Sequence, residues 1–248
     1  MFTKIFHHYS HRANQTFNWL PADTKEKYKE NLITQHQKLL DNNWIDRHFT
    51  YKFNNHGFRC NEFTLDPSIM FLGCSHTCGI GLPIEHTWAY LVSQQLNLNM
   101  INLGIGGTGP DTAFRLANHY IHQLHPKIVI YLEPENSRFC FIDNKNEIIN
   151  FHPMFNISEI PYGDFYSRWI MNQENLNLNG LKHKLAIEAI CNRNNIKLIT
   201  LDDNIFNQLD LARDLQHRGV KSNAEFSKFV LDAISLEEPR GIEPRFQG

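Results

Sequence analysis

The sequence predicts a three-layer α/β/α sandwich on a parallel sheet, and two patterns point to it. Four short apolar runs, "SIMFLG" (68–73), "MINLG" (100–104), "KIVIYLE" (127–133) and "IKLITLDD" (196–203), have the length and composition of buried strands. Between them stand the amphipathic stretches "HTWAYLVSQQLN", "DTAFRLANHYIHQL" and "NGLKHKLAIEAICNRNN", each long enough for a crossover helix. Strand and helix in alternation imply parallel strands with right-handed crossovers and helices on both faces. No Pro/Gly/Ser linker divides the 248 residues, so one domain over 1–248 is expected. A chain of this length buries roughly 70 to 75% of its extended surface and needs no metal or disulfide to hold a core.

Taken in order, residues 1–50 read as an N-terminal helical extension, with a helix over "ADTKEKYKENLITQHQKLLDNN" (22–43) carrying Tyr28, Leu32, Ile33, Leu39 and Leu40. "HFTYKFNNHGFRCNEF" then alternates aromatics around an Asn-Asn-His-Gly turn signal, which predicts a hairpin or an extended wrap. The core is expected over 51–235. Within it, the stretch 139–179 is rich in Asn, Phe and Tyr and reads as an irregular insertion at the rim of the site. Its aromatics Phe151, Phe155, Tyr162, Phe165, Tyr166 and Trp169 suit either a ligand pocket or packing beneath the insertion. "NAEFSKFVLDAISL" reads as a last helix, and 236–248 as a flexible tail.

Composition narrows the function. With 24 Lys and Arg against 26 Asp and Glu, the formal charge is −2, and no basic block exists to neutralise phosphates, so nucleic acid is not the expected partner. Five cysteines (Cys60, Cys74, Cys78, Cys140, Cys191) cannot all pair within one chain and are spread too thinly for a disulfide framework. The N-terminal residues build no signal-peptide core, and no run is long enough to span a bilayer. A soluble, cytoplasmic protein with no membrane partner is expected.

In a parallel sheet, ligands collect at the carboxyl ends of the strands. "MFLGCSHTCGIGL" (70–82) puts Ser75 just past such an end. Serine attacks a carbonyl only when a base takes its proton, and the base works only when a third group fixes its orientation. Fourteen histidines make the presence of one uninformative, but "LARDLQHRG" sets Asp214 three residues before His217, within reach of one another on a turn, after the last strand. Standing alone, Ser75 reads as a helix N-cap and the Asp214–His217 pair as surface polarity.

Two cofactor readings are weak. Gly104, Gly106 and Gly109 of "GIGGTG" (104–109) fall in the Gly-x-Gly-x-x-Gly frame of a dinucleotide loop, with a strand before and a helix after, but a lone match of this kind is a weak signal. Cys74, His76, Cys78 and His86 lack the second paired cluster of a zinc site. No cofactor or metal is expected. His76 is read as a rim residue within reach of substrate, and His7, His8 and His11 as solvated.

Four blocks, read in order, resemble the SGNH hydrolases, the GDSL-type esterases and lipases. "FLGCSHTCGIGL" is similar to the block in which Gly-Asp-Ser ends the first strand, with Cys74 in place of the aspartate. "INLGIGGTG" resembles the Asn-x-x-x-x-Gly block, its last glycine at Gly107. "PKIVIYLEPENS" aligns with the strand and Gly-x-Asn-Asp block, so that Pro134 replaces the glycine and Asn136 takes the asparagine position. "DLQH" resembles the Asp-x-x-His block, and "YKFNNHGFRC" an extended segment ahead of the first block in some members. The likeness runs from about Tyr51 to Gly219 and leaves the first 45 or so residues uncovered.

The resemblance implies the SGNH hydrolase fold, flavodoxin-like in layer order, and an esterase acting on a small or carbohydrate O-acyl ester, acetyl among the acyl groups. It implies Ser75 as nucleophile, His217 as base and Asp214 as its orienting acid. The oxyanion hole would comprise the N–H groups of Ser75 and Gly107 and the side chain of Asn136. Glycine at 107 suits that role, since the missing Cβ permits close approach and unusual φ. An acyltransferase with the same triad, or a non-catalytic binding protein on the same fold, remains open; Cys74 and Pro134 favour the latter.

Overall fold

A computed structural model describes residues 2–145, 147–153 and 162–236. The chain runs β1 (Thr16–Phe17), α1 (Lys25–Thr34), α2 (His36–Asp41), β2 (Tyr51–Lys52), β3 (Ser68–Leu72), α3 (Ser75–Cys78), α4 (Trp88–Gln95), β4 (Asn99–Asn102), α5 (Pro110–Leu124) and β5 (Ile128–Glu133). It continues through β6 (Phe139–Ile142), β7 (Ile148–Phe151), α6 (Gly163–Ile170), α7 (Gln173–Arg193), β8 (Lys197–Asp202) and α8 (Val220–Leu236).

Four strands form one parallel sheet in the order β4-β3-β5-β8. Because side chains alternate along a strand, each strand feeds two cores. Ile69, Phe71, Ile130, Leu132, Ile199 and Leu201 pack with Trp88, Ala89 and Val92 of α4 and Phe226, Val230 and Ile234 of α8. Met70, Leu72, Val129 and Tyr131 point the other way, with Leu116, Tyr120 and Leu124 of α5 and Ile187 and Cys191 of α7. The result is the expected sandwich of helices, sheet and helices. Pro110 opens α5, where its missing N–H costs nothing, and His125 closes the helix with φ +44 and its N–H on Ile121 O.

The strand order places the site. From β3 the chain crosses to β4 on one side, and from β4 it returns past β3 to β5 on the other. Loops leaving two strands in opposite directions open a crevice at their carboxyl ends. The turn bearing Ser75 follows β3, and the glycine-rich turn of residues 103–109 follows β4.

Several details differ from expectation. The helix over 22–43 is broken at Gln35 (φ −136°), where Thr34 Oγ1 donates back to Glu30 O at 2.9 Å, a bond that bends helices. The 51–66 stretch is an extended wrap, in which β2 pairs with β1 and Gly57 (φ +84°) makes the turn. Residues 139–179 are more regular than expected, with a β6–β7 hairpin, helix α6 and a start of α7 six residues early. Their aromatics pack on one another, Phe139 on Phe151 at 4.8 Å and Phe151 on Tyr166 at 4.9 Å. That leaves no apolar–polar alternation for a periodicity reading to detect. Phe155 and the tail beyond Leu236 lie outside the described residues.

His7 is not solvated. It is 1% exposed, stacks on Phe58 at 4.3 Å, and its Nε2 bonds His56 O at 2.8 Å. His8 and His11 are exposed, as expected. Among the described residues no helix is long and apolar enough to cross a membrane.

Candidate active site

Ser75 is the first residue of α3, on a turn packed so tightly that glycine is required beside it. A Cβ at Gly73 would meet Thr77 Oγ1 at 2.2 Å, and one at Gly104 would meet Cys78 N at 2.5 Å. Asn102 laces the two strand ends together, its Nδ2 donating to Thr77 O at 2.7 Å and its Oδ1 accepting from Gly104 N–H at 3.0 Å. The turn after α3 is held by a residue that sequence reasoning did not single out, Arg59 of "GFRC". Its buried guanidinium donates to the carbonyls of Cys78 (3.1 Å), Gly79 (2.5 Å) and Leu82 (2.6 Å).

Asp214 and His217 lie on the loop between β8 and α8. The loop closes on itself through Ala212 N–H to His217 O at 2.8 Å, with Leu215 at φ +55°. Asp214 Oδ1 accepts the backbone N–H groups of Gln216 (3.1 Å) and His217 (3.0 Å), and Oδ2 accepts the Nδ1–H of His217. Burial by itself would push the Asp214 carboxyl up; the hydrogen bond and charge of His217 and these two N–H groups outweigh it and hold the carboxyl below its usual range. An ionised carboxylate accepts and cannot donate, so Nδ1 carries a proton, and in the neutral imidazole the lone pair is then the one on Nε2.

The two loops meet. The His217 ring lies edge-on to that of His76 at 5.1 Å, the residue after Ser75, and Arg213 N–H donates to Gly81 O at 3.1 Å. Among the described residues no hydrogen bond joins Ser75 to His217; the Ser75 hydroxyl donates to Cys74 Sγ at 3.9 Å. Such bonds commonly tighten only when substrate arrives. His76 is half-buried and held by neighbours on the 203–218 segment. It packs between His217 and Phe206, its Nε2 accepts from Arg218 Nη1 at 2.9 Å, and Arg218 pairs with Asp203 at 3.0 Å. Burial, then the neighbouring His217 and Arg218, hold the His76 imidazole far below its ordinary pKa, so it is neutral.

Gly107 has φ +75°, a conformation that favours glycine, and its turn lies beside the serine, since a Cβ at Gly106 would stand 3.8 Å from Ser75 Cβ. Gly106 N–H donates to Tyr9 Oη at 3.1 Å, whereas Gly107 N–H meets no acceptor among the described residues. Asn150 of β7 donates to Gly107 O at 2.8 Å and fixes the turn, a role no sequence signal announced because the hairpin was read as irregular. Asn136 is placed differently from Gly107. Its carboxamide lies on helix α7, 2.3 to 2.6 Å from where a Cβ of Gly180 would be, and its carbonyl accepts Asn179 Nδ2 at 2.9 Å.

A cavity of about 240 Å³ between the start of α5, the β6–β7 hairpin, α6 and α7 is lined by Asp111, Phe139, Phe165, Trp169, Lys182 and His183 among others. Among the described residues no group of three or more His, Cys, Asp or Glu side chains is arranged to hold a metal ion.

No protein-family model matches the sequence, and no curated protein matches it. Solved structures do. The similar solved structures include esterases and lipases. A psychrotrophic esterase, EstA from Pseudoalteromonas sp., is 16% identical over 69% of this chain and 98% of its own, with a TM-score of 0.38. A family two carbohydrate esterase from Clostridium thermocellum, solved with cellohexaose, is 13% identical over 71% of this chain and 66% of its own, with a TM-score of 0.37. A GDSL-like lipase from Bacteroides thetaiotaomicron is 13% identical over 69% of this chain and 89% of its own, with a TM-score of 0.32.

Proposed function

We propose that the protein is a serine hydrolase of the SGNH type that cleaves an O-acyl ester. The observation that carries this reading is the Nδ1–H of His217 bound to the Asp214 carboxylate, on a loop whose imidazole packs against the residue following Ser75. In the proposed reaction Ser75 Oγ adds to the ester carbonyl as its proton passes to His217 Nε2. The tetrahedral oxyanion is met by the N–H groups of Ser75 and Gly107, each such donor contributing roughly 3 to 4 kcal/mol when aimed at developing charge. Collapse expels the alcohol, which takes the proton from His217, and leaves an acyl-serine. Water then repeats the sequence, giving up a proton to His217 and releasing the carboxylic acid. Asp214 keeps the imidazole in one tautomer and stabilises the imidazolium.

Asn136 is the third oxyanion donor that the resemblance implies; because its carboxamide packs on Gly180, the proposed hole is built first on the two backbone groups. The aromatic-lined cavity that includes Asp111, at the start of the helix following the Gly107 turn, is proposed to seat the acyl group or its small or carbohydrate carrier. The alternative is a non-catalytic binding protein, favoured by the Ser75 hydroxyl resting on Cys74 and by the placement of Asn136. Hydrolysis of p-nitrophenyl acetate and labelling by a fluorophosphonate separate the two. The esterase reading expects both, and their loss in Ser75→Ala; a folded wild-type chain that shows neither supports the binder.

A further inference from the structure

One carboxylate outside the resembling blocks joins both loops of the site. Asp23 lies in the N-terminal extension and is 1% exposed, as is Arg213, the neighbour of Asp214. Arg213 Nε donates to Asp23 Oδ1 at 3.0 Å, and Nη2 donates to Asp23 Oδ2 at 2.6 Å and to Asn18 O at 2.8 Å. The guanidinium is held between the rings of Trp19 and Phe49, at 4.0 and 3.9 Å. The same carboxylate accepts the hydroxyl of Tyr51. Tyr51 Oη in turn accepts Gly81 N–H at 2.8 Å, from the turn that follows the helix of Ser75. Arg213 N–H on Gly81 O closes the circuit at 3.1 Å. Two more bonds tie the extension to the base-bearing loop, Trp44 Nε1 to Leu211 O and Leu211 N–H to Asn42 Oδ1, both 2.7 Å.

A buried ion pair is a poor way to gain stability, because desolvation offsets most of its attraction. A bidentate pair does fix direction and distance. Here Asp23 Oδ2 accepts both from Arg213, on the base-bearing loop, and from Tyr51, whose hydroxyl accepts from the serine-side turn at Gly81. The loops are irregular, with positive φ at Gly79, Gly81 and Leu215, and the bonds inside each leave the distance between the two to groups that bridge them.

We propose that residues 18–51 form a positioning clamp, with Asp23 as its common anchor, that sets the separation between Ser75 and His217. The proposal rests on the esterase reading for its catalytic consequence. Asp23, Tyr51 and Arg213 are positioning residues that act through Gly81 and the backbone of Asp214.

The test uses the full chain carrying Tyr51→Phe, which removes one hydroxyl and leaves the Asp23–Arg213 pair in place; Asp23→Asn is a harsher companion that strips the buried guanidinium of its counter-charge. Two quantities are read: kcat and KM on p-nitrophenyl acetate, and the downfield proton resonance of the His217–Asp214 hydrogen bond. The clamp expects Tyr51→Phe to lower kcat about 10- to 100-fold with KM nearly unchanged, and to shift or broaden the resonance. A variant that is folded but less heat-stable, with wild-type kcat and an unmoved resonance, overturns it. Should the wild-type chain show no hydrolysis and no fluorophosphonate labelling, the esterase reading fails, and the resonance still decides the clamp.

Discussion

Gly81 is the point where the loop after Ser75 touches the loop of Asp214, and Gly81→Ala probes that contact with one methyl group. The residue has φ +82°, and a Cβ there would stand 2.7 Å from Ala212 Cβ and 3.2 Å from Asp214 Oδ1. The left-handed conformation costs an alanine about 1 to 2 kcal/mol. Overpacking against Ala212, which has no exposed surface, adds about 1 to 3 kcal/mol, since the neighbour is itself a loop held by Arg213. A destabilisation of roughly 2 to 5 kcal/mol follows, equivalent in a chain of this size to a fall in Tm of roughly 4 to 20 °C. The same methyl pushes the Asp214 carboxylate away from the serine turn, so fluorophosphonate labelling should slow by up to about 100-fold at a temperature where the variant remains folded. Thermal melts and labelling rates read the two effects. A variant that melts within a degree or two of wild type and labels at the wild-type rate would refute the packing of these loops.

Asn136→Ala separates its placement from the role the resemblance implies. With the carboxamide on Gly180, kcat on p-nitrophenyl acetate should change by less than about threefold, whereas loss of a working oxyanion donor costs about 10² to 10³. His7 should give a pH dependence to stability. Burial pushes its imidazole from 6.5 to about 4, so the folded protein keeps it neutral while the unfolded chain takes up a proton. Its contribution, on the order of 3 kcal/mol, is therefore complete above about 6.5 and is lost as pH falls toward 4. Urea unfolding of His7→Gln should be flatter than wild type across that window; parallel profiles would contradict the assignment.

The sheet was legible because its evidence is local. Each strand lies within two residues of an apolar run, and the crossover helices carry their own stripes. The contact between Asp214 and His217 is equally local, three residues apart on one turn. What sequence could not show depends on distant partners. Asp23 means nothing without Arg213, 190 residues later, and Arg59 reads as a surface cation until its carbonyl partners at 78–82 are known. The partners of His76 were hidden for the same reason, since Phe206 and Arg218 come more than 120 residues later. Asn136 is the opposite case: a gap-free block match gives its position in sequence, and whether its carboxamide, packed on Gly180 of α7, meets the oxyanion is what Asn136→Ala reads.

The span of the Asp23–Arg213 pair bears on synthesis. A ribosome that has made the first 200 residues has produced every strand of the sheet but its last few positions, and no arginine yet to sit between Trp19 and Phe49. Those rings and an uncompensated Asp23 stay open to solvent or to chaperones until residue 213 emerges. Chains cut short before Arg213 should consequently be adhesive, and on the proposed function hydrolysis should wait for residues 213–217.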